Sequence, residues 1–339
     1  MQLIDNVLIE ARTVEVIENS PDYFPLENGR YEVKPGLMPF GVDLGNGKVD
    51  QQVFQIDHSK AEFRQFKLLA RNERLSKYYQ TCDYPPLVAS AIAQLIVDRL
   101  VQEHPHYFHY QKGTINLHNQ LTGETLIFDP QWQLQQVEGS SRVCPPYTSA
   151  LDALAMQIQE DLAVVSRAAD GSNWLSAIHV CYPNHWAAEE KIGKNFASVH
   201  QPVAGMEKIN QRGAMIVNTM IDRRPTLRFG WGLSTDTRLN HHPEPPPDIS
   251  DRQWYGRQFN LNNPRLYLRI ERQVIWGLPE VNAALFVIRT YFRDCRLIKR
   301  DPVLQAKLIA AIASMTSDSL IYKGLADSKD DILAWLTQN

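Results

Sequence analysis

Thr226-Leu-Arg-Phe-Gly-Trp-Gly-Leu233, Leu266-Tyr-Leu-Arg-Ile-Glu-Arg-Gln-Val-Ile275 and Ala283-Ala-Leu-Phe-Val-Ile-Arg-Thr-Tyr-Phe292 decide the fold. In each, apolar and polar residues alternate with the period of two expected of antiparallel strands with one face on a core. The same alternation keeps Glu271 and Arg272 from both facing inward. Upstream, residues 174–181 read as a strand and 189–197 as short helical turns. Residues 207–221 read as a helix with Ile209, Ile216, Val217 and Met220 on one face. A strand, then helices, then three strands is an α+β order. Residues 241–247 contain four prolines and cannot join a ladder. They are expected to form a surface loop, with His241 and His242 in solvent.

Working back toward the N-terminus, Thr148 or Ser149 can cap a helix running to about Ser166, because a side-chain oxygen there satisfies an orphan N–H just before the apolar period begins. Residues 61–79 hold helix formers with apolar positions at Phe63, Phe66, Leu69 and Leu75, and 86–101 repeat that period. Residues 114–116 and 125–128 flank a Leu121-Thr-Gly-Glu turn, as in a hairpin. Further helices are expected at 302–315 and 330–336. Two parts follow: 1–146, helical with a hairpin and packed on the second, and 147–339, a sheet domain with C-terminal helices.

Composition narrows the function classes. The 339 residues are 44% hydrophobic and 22% charged, as in a globular protein with a sizeable core. The formal net charge of −3 offers no general attraction to a phosphate backbone or an anionic membrane, so nucleic acid is not an expected partner. No stretch reaches the roughly 20 apolar residues of a membrane span. Residues 1–10 lack the basic and apolar regions of a signal peptide, so a cytoplasmic location is expected. The four cysteines, at 82, 144, 181 and 295, have no zinc-type spacing and are expected as free thiols. His104, His106 and His109 are spaced by two and three, which no helix puts on one face. Gly45-Asn-Gly47 is a turn without the Gly-Lys-Ser/Thr ending of a phosphate loop.

The stretch from Trp186 through Gly193 to Val199-His-Gln-Pro202 resembles the connecting segment of PAS domains, which precedes a helix walling the ligand pocket and is followed by three strands. A wider set of motifs occurs in the order of one family: Gln159-Glu-Asp-Leu, Cys181-Tyr-Pro-Asn-His-Trp186, Glu190-Lys-Ile-Gly193, Val199-His-Gln-Pro-Val203, Arg228-Phe-Gly-Trp231, Leu268-Arg-Ile-Glu-Arg-Gln273, Leu278-Pro279 and Phe286-Val-Ile-Arg-Thr-Tyr291. Over residues 150–295 the chain resembles the family of the haem-dependent oxidative N-demethylase α-subunit. The resemblance implies a PAS-like domain holding haem b, oxygen activation at the iron and a small secondary amine as substrate. It also implies electrons from a separate reductase that carries flavin and iron–sulfur. Two departures stand out. Gly230 lies where the family has an asparagine in Arg-x-Asn-Trp. Trp276 and Gly277 approach Leu278-Pro279 where a basic residue is expected, a change that would alter the pocket or a partner surface.

Such chemistry needs an axial ligand, a polar pocket beside it and a group that holds the amine. His200 is the first candidate for the iron ligand, with Cys295 and Cys181 as thiolate alternatives. Arg228, Glu190 and Arg289 are candidates for catalysis, Arg228 as a donor to developing negative charge and Glu190 or Glu271 as the attraction for a protonated amine. Trp231, Arg272 and Tyr291 are candidates for cofactor contact, and Trp174, Trp186, Trp231 and Trp276 are expected to fill core and pocket walls. Two other readings of the same residues are a haem or gas sensor without turnover and a cofactor-free scaffold.

Overall fold

The computed structural model describes residues 18–26, 28–111, 113–139, 143–255 and 257–338; the N-terminal stretch read for a leader lies outside these residues. The chain forms two compact units, residues 1–20, 52–72 and 85–159 in one, and 21–51, 73–84 and 160–339 in the other. In chain order the strands are β1 (Met38–Pro39), β2 (Tyr79–Thr81), β3 (Phe108–Gln111), β4 (Asn116–Asn119), β5 (Glu124–Phe128), β6 (Leu134–Glu138), β7 (Asp161–Arg167), β8 (Asn173–His179), β9 (Thr226–Ser234), β10 (Tyr267–Leu278) and β11 (Ala283–Asp294). The helices are α1 (Lys60–Arg74), α2 (Pro86–Glu103), α3 (Ala150–Ala155), α4 (Phe196–His200), α5 (Glu207–Asn210), α6 (Gly213–Asp222), α7 (Asp251–Trp254), α8 (Cys295–Ile298), α9 (Pro302–Ala313), α10 (Ser317–Tyr322) and α11 (Lys329–Thr337). The mixture of helices and antiparallel sheets is α+β, as the order of periods implied.

In the first unit the expected hairpin is the middle of a four-stranded meander, β3-β4-β5-β6. Helix α1 buries Phe63 of the apolar stripe read in the sequence, but Leu69 is exposed while Lys60, Lys67 and Arg71 are buried. The cause is the C-terminus of α3, whose last carbonyls lack intrahelical donors. Lys67 Nζ donates to Ala155 O at 2.8 Å, Arg64 Nη1 to Met156 O at 2.7 Å and Lys60 Nζ to Gln157 O at 2.6 Å, while Arg71 forks onto Asp152 at 2.5 and 2.9 Å.

Ser149 caps α3, accepting from Asp152 N at 3.1 Å, yet the helix ends at Ala155 instead of reaching Ser166. Residues 161–167 form β7, an interior strand of the second unit's sheet. An interior strand covered on both faces reads as a continuous apolar run, which periodicity cannot separate from a buried helix.

The second unit is built on a seven-stranded antiparallel sheet in the order β1-β9-β10-β11-β7-β8-β2. Strands β10 and β11 pair over their whole length, from Tyr267 opposite Asp294 to Leu278 opposite Ala283. One face carries a core of Leu268, Ile270 and Tyr291 packed with Leu308, Ile312 and Trp335 of the C-terminal helices. The other face receives α6 through Ile275 and Ala284, packed with Val217, Met220 and Ile221. The helix read over 207–221 is two helices, α5 and α6, broken before Gly213. A Cβ on Gly213 would lie 3.2 Å from Phe196 Cδ1, so the glycine lets α6 close onto α4. Among the described residues no helix is long and apolar enough to cross a membrane.

Candidate functional site

Between that second face and α4 to α6 lies a cavity of about 830 Å³, within the range of small-molecule and cofactor sites. Strand parity explains its lining. On β10 the odd-numbered Arg269, Glu271, Gln273 and Ile275 face it; register sets Arg228 beside Gln273, Gly230 beside Glu271, and Phe286 beside Ile275. The even-numbered Arg272 points the other way. At one end the walls are apolar: Ala163, Val165, Ile178, Ile275 and Phe286 from the sheet, with Ile216 and Met220 from α6. At the other end Arg228, Arg269, Glu271, Gln273, His185 and Lys323 converge.

His200 stands on the wall at the end of α4, whose start is capped by Asn195 accepting from Ser198 N. Its ring lies 4.3 Å from that of Phe196, and Nδ1 donates to Phe196 O at 2.8 Å. A carbonyl can only accept, so the proton sits on Nδ1 and the Nε2 lone pair is left free. Burial, with Arg228 and Lys191 nearby, pushes the pKa of His200 down despite that bond, keeping the imidazole neutral.

The structure brings together His200, Arg228, Glu190 and Trp231 on one cavity. Glu190 is exposed at its margin in a 3-10 turn, Ala188–Glu190. Trp231 meets the ring of Tyr31 edge-on at 5.7 Å. Trp174 and Trp186 also line the cavity, whereas Trp276 packs edge-on against Phe40 at 5.8 Å.

Arg272, Arg289 and Tyr291 lie away from this site. Arg272 and Arg289 are cross-strand partners on the opposite face, both buried; Arg272 donates to Asp50 O at 3.3 Å and Arg289 stacks over Tyr291 at 5.0 Å. Tyr291 meets Tyr23 edge-on in the core of that face. Register sets Arg272 opposite Phe229 and Arg289, and Tyr291 opposite Ile270, on the sheet face away from Arg228 and Gln273, which is the physical reason these three separate from Arg228; Trp231, opposite Ile270, packs against the core of that face as well as lining the cavity.

The thiolate alternatives separate as well. Cys295 is fully buried in the same opposite core, and burial drives its thiol pKa far up, which opposes a thiolate. Cys181 is buried with Sγ 4.0 Å from His179 Nδ1, and neither cysteine lines the cavity.

His241 and His242, expected in solvent, are buried. His241 Nε2 bonds Asp236 Oδ1 at 2.9 Å, and its ring stacks on His185 at 5.0 Å. His185 was not singled out in the sequence. It adopts a left-handed backbone conformation (φ 60°), a cost that a histidine bears only where its surroundings impose it. Burial, reinforced by Arg257, His241, Arg269 and Arg238, holds it neutral with a pKa near 2.

Lys323 was also missed: it follows α10, far along the chain, and donates to Trp231 O at 2.7 Å. Burial lowers its pKa to about 8, with Arg257 and Arg228 adding to the fall and Glu271 opposing it. Arg269 and Gln273 were not singled out either; the parity they share with Glu271 is the signal that could have found them.

Among the described residues no group of three or more histidine, cysteine or acidic side chains is arranged to hold a metal ion. A haem iron held by one histidine would need no such group. The profile of the family described as haem-dependent oxidative N-demethylase, alpha subunit-like, matches residues 47–333. The match takes in well over half of the chain and spans every wall strand from β7 to β11. The chain belongs to this family, and a haem cofactor is implied by its description.

Proposed function

We propose that the second unit holds haem b in this cavity and serves as the oxidative N-demethylase subunit for a small secondary amine. The observation that carries the reading is His200: a neutral imidazole on the cavity wall, its Nδ1 committed to the Phe196 carbonyl and its Nε2 free. Iron-binding histidines are oriented in this way by a second hydrogen bond, which fixes the tautomer and raises ligand basicity. The residues present therefore fit the group: His200 would hold it through the imidazole, between apolar walls from the sheet and α6, with cationic side chains at one end. The PAS-like reading is supported by the order of elements, with the segment after β8 leading into the helices that wall the cavity and β9 to β11 following.

When bound, haem supplies oxygen activation and takes up the electrons that the reaction moves. The chain's own residues do the rest. Glu271, on the sheet wall of the cavity, receives the ammonium of the amine, while Glu190 at the margin draws the cation in. Arg228 supplies guanidinium donors where negative charge develops. The apolar walls exclude water. The secondary amine, dioxygen, two electrons and two protons give the primary amine, formaldehyde and water; the electrons come from a separate reductase carrying flavin and iron–sulfur.

The test is a haem titration followed by absorbance. A sharp Soret band in the native protein, altered or lost in His200→Ala and retained in Cys295→Ala, is expected. Reduced protein with oxygen and dimethylamine is then expected to release formaldehyde. A native protein that gives no band overturns the reading.

A further inference from the structure

The polar end of the cavity has more cations than its carboxylate can satisfy. Arg228 on β9, Arg269 on β10 and Lys323 after α10 face one acidic side chain, Glu271. Arg257 stands behind them, its Nη1 2.9 Å from where a Cβ on Gly324 would lie. Glu271 is already engaged: Gln273 Nε2 donates to Oε2 at 3.1 Å, and Arg269 Nε lies 3.8 Å from Oε1. Arg269 sends its Nη groups to Leu239 O at 2.9 Å and Tyr182 O at 2.7 Å.

The Nε atoms of Arg228, Arg257 and Arg269 are each buried without a hydrogen-bond partner, and Arg269 as a whole is 1% exposed. Arg269 also feels Asp161 and Asp236, and Arg257 bonds Tyr255, but the buried Nε donors stay unmet and the cations of the cavity wall share Glu271, so a further anion there is favourable. Space for one exists. Gly230 carries no side chain, and a Cβ there would meet Gln273 Nε2 at 3.4 Å and Glu271 Oε2 at 3.7 Å, so β9 sets only backbone beside this pair.

We propose that the polar end of the cavity is a carboxylate subsite in which the half-buried Arg228 and Lys323 receive the ligand's oxygens and the charges of the buried Arg269 and half-buried Arg257 support them from behind. The proposal rests on the haem reading above and deepens it. Two ligands present such a group: a haem propionate, or the carboxylate of an N-methyl amino acid whose ammonium faces Glu271. In the second case the substrate is a zwitterion, and the one acidic and several basic side chains match its two ends.

Two titrations separate these sources. In the first, haem and its dimethyl ester are titrated against native protein, Arg228→Gln and Lys323→Met, read by the Soret band. In the second, haem-loaded proteins are titrated with N-methylglycine and with dimethylamine, read by difference spectra and calorimetry. A preference of about tenfold or more for haem over its ester, lost in the variants, assigns the subsite to a propionate. A similar preference for N-methylglycine over dimethylamine, lost in the variants, assigns it to substrate.

Calorimetry adds a sign. A carboxylate beside Lys323 stabilises the ammonium, so binding at pH 8.5 takes up protons and the heat varies with buffer; Lys323→Met abolishes this. Lys323→Met replaces a buried cation with an apolar side chain of similar length. It decides the matter if Arg228→Gln fails to fold. A Soret band with no preference in either titration overturns the subsite and leaves the haem reading standing. If no band forms, acetate titrated into the haem-free protein is the remaining measurement: binding lost in Lys323→Met keeps the subsite without haem, and no binding overturns both.

Discussion

The substitution Gly277→Ala isolates one backbone approach on which the cavity depends. Gly277 lies on β10 beneath the C-terminal turn of α6. A Cβ there would overlap the Ile221 carbonyl oxygen and lie 2.7 Å from that of Met220 and 2.8 Å from the Ile221 carbonyl carbon. These are main-chain atoms of a helix, so no rotamer change relieves the overlap. Either α6 lifts from the sheet or β10 bows away. Overpacking of this kind costs about 1–3 kcal/mol, occasionally more, and the upper end applies because backbone must move. For a unit of about 200 residues that corresponds to a fall in Tm of roughly 6–12 °C, at 2–4 °C per kcal/mol.

Because α6 brings Ile216 and Met220 to the cavity wall, haem affinity is expected to fall in parallel. Gly230→Ala on the neighbouring strand is the control. Its nearest neighbour would be a side-chain nitrogen at 3.4 Å, so its Tm is expected to stay within about 2 °C of native. Thermal denaturation followed by circular dichroism reads both. Equal Tm values for Gly277→Ala and native protein would refute the reasoning. The same geometry explains the departure noted in the sequence: a long basic side chain at 277 has no place while α6 sits where it does.

Three further outcomes follow from the charges. Asp152→Ala leaves Arg71 buried without its carboxylate, and a loss of about 3–5 kcal/mol is expected in chemical denaturation of the first unit; a loss below 1 kcal/mol would contradict the buried pairing. His185, His200 and His241 all have folded pKa values pushed below the ordinary 6.5, so as pH falls below 6.5 the unfolded chain binds protons that the folded chain refuses. Stability therefore falls with acidification, by up to about 1.4 kcal/mol per pH unit for each neutral histidine. His185→Asn, which tolerates the left-handed backbone, is expected to flatten the melting profile between pH 6.5 and 4.5 by about one proton's worth; an unchanged slope would count against a buried neutral His185.

What the sequence discloses and what it hides divide along a physical line. Strands β9, β10 and β11 were legible because each has one face on a core and the other on a partly polar cavity, so alternation survives in the residues. That alternation also separated Glu271 from Arg272 before any coordinates. It did not say which face carried the cavity, and so Arg272, Arg289 and Tyr291 entered the candidate site although their parity sends them to the far core. Strand β7 and the buried stripe of α1 were hidden for opposite reasons: β7 is covered on both faces and loses its period, while α1 buries cations whose partners are the carbonyls of α3.

The site residues follow the same division. His200 was visible through its local setting, a histidine ending a short helical turn before Pro202. His185 and Lys323 were not, since one is marked by a backbone angle and the other arrives from 90 or more residues beyond Arg228. Their effect is to change the character of the cavity. With Arg228 and Glu190 alone the site would suit a simple amine cation. Arg269 and Lys323 shift the balance, so that a ligand bringing only positive charge would add to cations that already share Glu271. The charge balance of the cavity, more than its shape, therefore sets the ligand to be tried first, and that ligand carries a carboxylate.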